Sequence, residues 1–122
     1  MGKKALLIVD VQNGFCPSGN LPVPEGDQVV QVINALIAKG SYDLVVASQD
    51  WHPANHGSFA SQHPGKQPFD MGELDGRPQM MWPDHCVQGT KDAEFHPGLN
   101  TAAIRYRADS QKESRCDRLS LF

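Results

Sequence analysis

The chain has 122 residues, 39% hydrophobic and 20% charged, which supports about one domain able to bury roughly two thirds of its unfolded surface. Its formal net charge is -3, with acidic and basic residues spread along the chain; this excludes a basic stripe for nucleic acid and a polybasic segment for anionic lipid, and a small molecule is the expected partner. The first apolar run ends at Asp10 and no apolar stretch approaches the ~18 residues of a membrane span, so a cytoplasmic protein without an export signal is expected. In chain order, Ala5 to Val9 is a continuous apolar run, read as a strand buried on both faces of a parallel sheet, with Asp10 at its carboxyl end. From Asp27, a candidate N-cap, Val29, Val30, Ile33, Leu36 and Ile37 recur at helical spacing. Lys39 falls in the last turn and Gly40 is the stop. Asp43 to Ser48 completes a β-α-β unit, which puts Asp10 and Asp50 on one edge of the sheet. From Trp51 to about Gly98 the chain is rich in Pro, Gly, His, Asn and Gln and shows little periodicity. That is far longer than an ordinary connection, and Phe59, Phe69, Trp82, His85 and Phe95 argue for an ordered loop folded over a site. Leu99 to Tyr106 reads as a short turn leading to a third strand, and Arg107 to Phe122 turns polar and charged without pattern.

Chemistry concentrates in Asp50-Trp51-His52-Pro53-Ala54-Asn55-His56, where a D-x-H-x3-H spacing follows the strand end directly. One carboxylate and imidazoles suit a divalent cation such as zinc, iron or manganese, and loops at the carboxyl ends of parallel strands are where α/β proteins place reactive groups. His85, within Trp82-Pro83-Asp84-His85-Cys86, is the candidate fourth donor; His63 and His96 belong to no such pattern and read as surface or packing residues. Cys16, Cys86 and Cys116 lie far apart, with no C-x-x-C pair and no secreted framework spacing, and read as reduced thiols.

Three segments together resemble the nicotinamidases (pyrazinamidases) of the isochorismatase-like cysteine hydrolase family: Leu6 to Cys16, Ala47 to Ala60, and Trp82 to Val87. The resemblance implies a three-layer α/β/α fold around a parallel sheet. It also implies hydrolysis of nicotinamide to nicotinic acid and ammonia, in NAD salvage, by an Asp-Lys-Cys triad beside a divalent metal. On that resemblance Asp10 matches the triad aspartate, and a carboxylate at a strand end can take a thiol proton and return it to leaving ammonia. Asp50, His52, His56 and His85 match metal ligands. Phe15 and Trp82 match aromatic walls of the ring pocket, with Leu21 as a further apolar contact. Gln12 and Asn13 shape the turn after the first strand and carry no chemistry in this reading.

The resemblance stops near residue 106, and the chain departs from the family where the covalent chemistry belongs. The family's lysine would fall on Ser110, and Lys112 is the nearest ammonium. The Gly-x-x-x-Asp-x-Cys-Val segment, where a helix N-terminus activates the nucleophile, has no counterpart, and none of the three cysteines matches it. Residues 1–106 therefore read as the amino-terminal part of an isochorismatase-like hydrolase domain, and 107–122 as an unmatched tail from truncation or frameshift. Two classes of function follow: a metal-assisted nicotinamidase-type hydrolase, of nicotinamide or another small substrate, or a non-catalytic metal-binding remnant. An uncovered face or edge of the first strand predicts homo-oligomerisation or poor solubility.

Overall fold

The computed structural model describes residues 2–109; Ser110, Lys112 and Cys116 lie outside them. A five-residue apolar strand, β1 (Ala5–Val9), leads through two short 3-10 turns (Asn13–Phe15 and Gly26–Gln28) into helix α1 (Val29–Ala38). The chain returns as β2 (Leu44–Gln49), which pairs in parallel with β1 in the register Ala5↔Leu44 to Val9↔Ser48. Beyond β2 the long irregular segment is not without secondary structure. It holds 3-10 turns at Ala60–Gln62 and Lys91–Ala93 and an antiparallel hairpin, β3 (Met71–Leu74) and β4 (Arg77–Met80), turned through Asp75 and Gly76 with positive φ at both. After a further 3-10 turn (Thr101–Ala103), β5 (Tyr106–Asp109) pairs in parallel with the other edge of β2, giving the sheet order β1-β2-β5.

The core lies on one face of this sheet. Ile8 and Ala47 point toward α1, where they pack with Val11, Val30 and Leu99, flanked by Leu6, Ile33, Ile37, Val45, Phe95 and Ile104. Two expectations are corrected. The first strand is not buried on both faces: Leu7 is 57% and Val9 41% exposed, because among the described residues α1 covers the other side only. Asp27 is not the N-cap of the helix; it sits inside the preceding 3-10 turn and makes no side-chain capping bond, and Val29 is exposed. The helix stop is at Gly40, whose φ of +66° suits a residue without a Cβ and whose N–H donates to the Ile37 carbonyl. No helix of the described residues is long and apolar enough to cross a membrane.

The turn after β1 is drawn against the returning loop. Gly14 permits this, since a Cβ there would lie 2.6 Å from an Asp92 oxygen and 2.8 Å from the Cys86 sulfur. Asn13 N–H donates to the Glu94 carbonyl and His96 N–H to the Val11 carbonyl, so residues 11–13 and 94–96 run as a short antiparallel pair. The result brings the ends of β1 and β2 and the loop around residue 85 to one corner.

Candidate metal centre

Asp50 stands just beyond β2, and the chain from there to His52 is held alongside residues 86–88. His52 N–H donates to the Cys86 carbonyl and Gln88 N–H to the His52 carbonyl, a parallel bridge that sets His85 next to His52. Three donors meet there: ligand atoms of Asp50, His52 and His85 all lie within 4.8 Å of one another. His52 Nε2 is 3.6 Å from one Asp50 oxygen and His85 Nε2 is 3.4 Å from the other. Beneath them the fully buried Phe59 ring packs against His52 and His85, with centroids 5.3 and 5.5 Å away.

The imidazoles are not equivalent. His85 Nδ1 lies 2.7 Å from the Pro83 carbonyl, which can only accept, so Nδ1 carries the proton and Nε2 faces Asp50. Burial alone would lower the His85 pKa, but the hydrogen bonds its ring donates to the Asp50 carboxylate and the Pro83 carbonyl, with the charges of Asp50 and Asp92, override it and raise the pKa. His52 goes the other way: burial, joined by His85 and His56, pushes it down to about 4 against the pull of Asp50. The opposite directions are physically compatible, since one carboxylate between two buried imidazoles stabilises one proton, here on the His85 side. His52 Nδ1 is buried and makes no hydrogen bond of good geometry among the described residues, although the His85 backbone lies close enough to favour its charged form. One carboxylate, one imidazole with its tautomer fixed and one whose Nδ1 makes no hydrogen bond of good geometry form a donor set that fits a divalent cation.

His56 is placed differently from the ligand role that the spacing suggests. Its ring is buried 4.8 Å from that of His52, but its Nδ1 accepts the Ser58 N–H at 3.1 Å and lies 2.7 Å from the Ser58 hydroxyl. With Nδ1 accepting, the neutral ring carries its proton on Nε2 and keeps no lone pair for a cation. His56 is accordingly outside the three-donor cluster. His63 donates to the Gly57 carbonyl and His96 accepts the Gly98 N–H, both local backbone contacts.

Asp10 ends β1 half-buried, at a φ of +50° that an Asp tolerates better than most side chains. The Ser48 hydroxyl donates to its carboxylate at 2.7 Å. Burial raises the Asp10 pKa, opposed by that hydrogen bond and reinforced by the charge of Asp50, which puts the two carboxylates in one electrostatic neighbourhood. A cavity of about 320 Å³ opens beside Asp10, walled by Val9, Phe15, Val23 and Val29. Phe15 also reaches His85, at 5.7 Å between rings, and so bridges cavity and cluster. Leu21 and Trp82 do not line this cavity. Leu21 is half-buried and its N–H donates to the Gly14 carbonyl, while Trp82 is bridged to Phe59 through its backbone and packs edge-on against Phe69 at 6.0 Å.

Neither described thiol is poised to attack. Cys86 is fully buried, and burial together with Asp50, Asp92 and Asp10 pushes its pKa up; Cys16 is buried and also raised, by burial and Asp27. Reading the sequence alone gives Gln12 only a turn-shaping part and passes over Ser48 and Ser58. Gln12 has a visible signal, a long polar residue three positions beyond an apolar strand. The two serines are ordinary in type, and only the fold places them.

An isochorismatase domain model matches residues 4–114. The chain belongs to the isochorismatase family. It is 58% identical to the nicotinamidase of Escherichia coli (strain K12) over 106 residues, covering 85% of this chain and 49% of that protein. Among solved structures it matches an Acinetobacter baumanii nicotinamidase with a TM-score of 0.80 and 53% identity, over 88% of this chain and 51% of the other. It also matches a Pyrococcus horikoshii pyrazinamidase solved in complex with zinc, with a TM-score of 0.61 and 38% identity, over 92% of this chain and 54% of that one. The chain spans about half the length of the relatives it matches. The parallel sheet with its covering helix is the fold of this family, and the three-donor corner lies within the matched part.

Proposed function

We propose that this chain carries the metal-binding and acid–base part of a nicotinamidase-type amidohydrolase, which adds water to nicotinamide to give nicotinic acid and ammonia. The observation that carries this reading is the convergence of Asp50, His52 and His85 within 4.8 Å at the strand edge that also bears Asp10. Zinc is the proposed occupant, supported by the zinc complex of the Pyrococcus relative and by a mixed carboxylate–imidazole donor set. Held by Asp50, His52 and His85, the cation would supply Lewis acidity beside the substrate. Phe15 offers a face for the pyridine ring, while Trp82 and Leu21 lie outside the cavity that Phe15 lines. Asp10, with its raised pKa and one oxygen held by Ser48, is suited to take a proton from the attacking group and pass it to the leaving ammonia.

The buried, raised thiols of Cys16 and Cys86 favour a second reading, a chain that binds metal without turnover. Zinc content and ammonia release from nicotinamide, measured on the purified chain beside Asp10→Ala, separate the two. Stoichiometric zinc with slow ammonia release that Asp10→Ala abolishes supports the hydrolase. Stoichiometric zinc with no release supports the second reading, and absence of retained zinc overturns both.

A further inference from the structure

We propose that Gln12 is a positioning residue for the metal centre, holding Asp50 by its own backbone so that the carboxylate stays within reach of His52 and His85; this rests on the metal reading above. Among the described residues the β1–β2 ladder ends at Val9↔Ser48 and the β2–β5 ladder at Gln49↔Asp109, so no described ladder pair includes Asp50. Buried backbone groups must find partners elsewhere. The Gln12 side-chain amide bonds both backbone groups of Asp50, its Oε1 accepting the Asp50 N–H at 2.8 Å and its Nε2 donating to the Asp50 carbonyl at 2.8 Å. A side-chain amide has the donor and acceptor of a peptide unit, and here it stands in for one more residue of a neighbouring strand.

The clamp is itself held rigid. Gln12 is 0% exposed, and its second Nε2 hydrogen goes to the Ala93 carbonyl at 2.7 Å, so three of its amide's bonds are made in a dry setting. Its N–H closes a tight turn onto the Asp10 carbonyl at 2.9 Å. One tight turn thus joins the backbone of Asp10 to the residue that clamps Asp50. Gln49 offers an internal comparison: its amide donates to the same Ala93 carbonyl at 2.8 Å and is also buried, but no hydrogen bond of its side chain reaches Asp50. Outer partners of this kind commonly change metal affinity by about 10- to 100-fold.

The test uses the full chain, zinc affinity by chelator competition, and the visible absorption of the cobalt-loaded protein. Gln12→Met is expected to weaken zinc binding by about 10- to 100-fold and to shift the cobalt bands, whereas Gln49→Met keeps affinity within about two-fold and leaves the bands in place. Thermal unfolding is followed for both, since each loses a buried hydrogen bond. Gln12→Glu is the conservative variant: a buried, protonated carboxyl keeps the acceptor and one donor, so an intermediate loss is expected. Equal affinity and identical cobalt bands for Gln12→Met and Gln49→Met would overturn the proposal. If Gln12→Met does not fold, unchanged affinity in Gln12→Glu overturns it. If the unaltered chain takes up neither zinc nor cobalt, the metal reading itself fails and this inference falls with it.

Discussion

The metal corner and the outer face of the sheet share β1 and β2 and differ in almost every other respect. At the corner, Asp50, His52 and His85 stand over a fully buried Phe59, and backbone bridges from residues 86–88 and side-chain amides from Gln12 and Gln49 tie the loops together. On the face turned away from α1, the register sets Leu7 beside Val46 and Val46 beside Tyr106, an apolar row in which Leu7 is 57% and Tyr106 59% exposed. The corner is closed by contacts the described residues make among themselves; the outer face is not closed by any of them. A local site can thus be fully packed in a sheet whose other side remains open, because burial is decided face by face.

The sharpest way to break this contrast is to hollow out the corner. Phe59→Ala removes the ring against which three imidazoles pack, at 5.3, 5.7 and 5.5 Å, and is expected to cost about 3–5 kcal/mol in denaturant unfolding and to abolish zinc retention. A cost below about 1 kcal/mol would show that the corner is not packed as described.

A smaller effect is expected from pH, followed in the metal-free protein. His52 has a folded pKa of about 4, below its ordinary value, so between pH 6.5 and 4 the unfolded chain binds more protons and stability falls as pH falls. His85 has a raised folded pKa, so its contribution is present below pH 6.5 and lost as pH rises through the folded value. The two rings together therefore favour a stability maximum near pH 6.5, measured as unfolding midpoints across the range, with Asp10, whose folded pKa is raised, working against the fall at the acid end. A monotonic profile through this window would mean that the two rings do not share Asp50 as described.

The smallest effect on folding belongs to the outer face. Leu7→Lys should change the unfolding free energy by under about 0.5 kcal/mol, since the side chain is already in water, while lowering any self-association seen by sedimentation. A loss of several kcal/mol would instead mean that this face is covered in solution.

Much of the corner was legible as chemistry before it was legible as geometry. The D-x-H-x3-H spacing and the His85 segment named four donors, and three of them converge; His56 does not, because the N–H of Ser58, two residues on, takes its lone pair, a local turn contact that spacing cannot reveal. Phe15 stands on the cavity wall, while Trp82 and Leu21 have other neighbours, since a resemblance names residue types and not rotamers. The hairpin Met71–Met80 is not legible within its long polar stretch, where the alternation is too short to stand out.

By itself the sequence determined the parallel β-α-β frame and the donor-rich strand end, because apolar runs, helical spacing and ligand spacing are local properties written along the chain. Only the tertiary structure decided which donors meet, that Gln12 reaches Asp50, that the thiols of Cys16 and Cys86 are buried, and that one face of β1 is left open. Each of those depends on contacts between residues far apart in sequence, and such contacts are set by how the loops pack together.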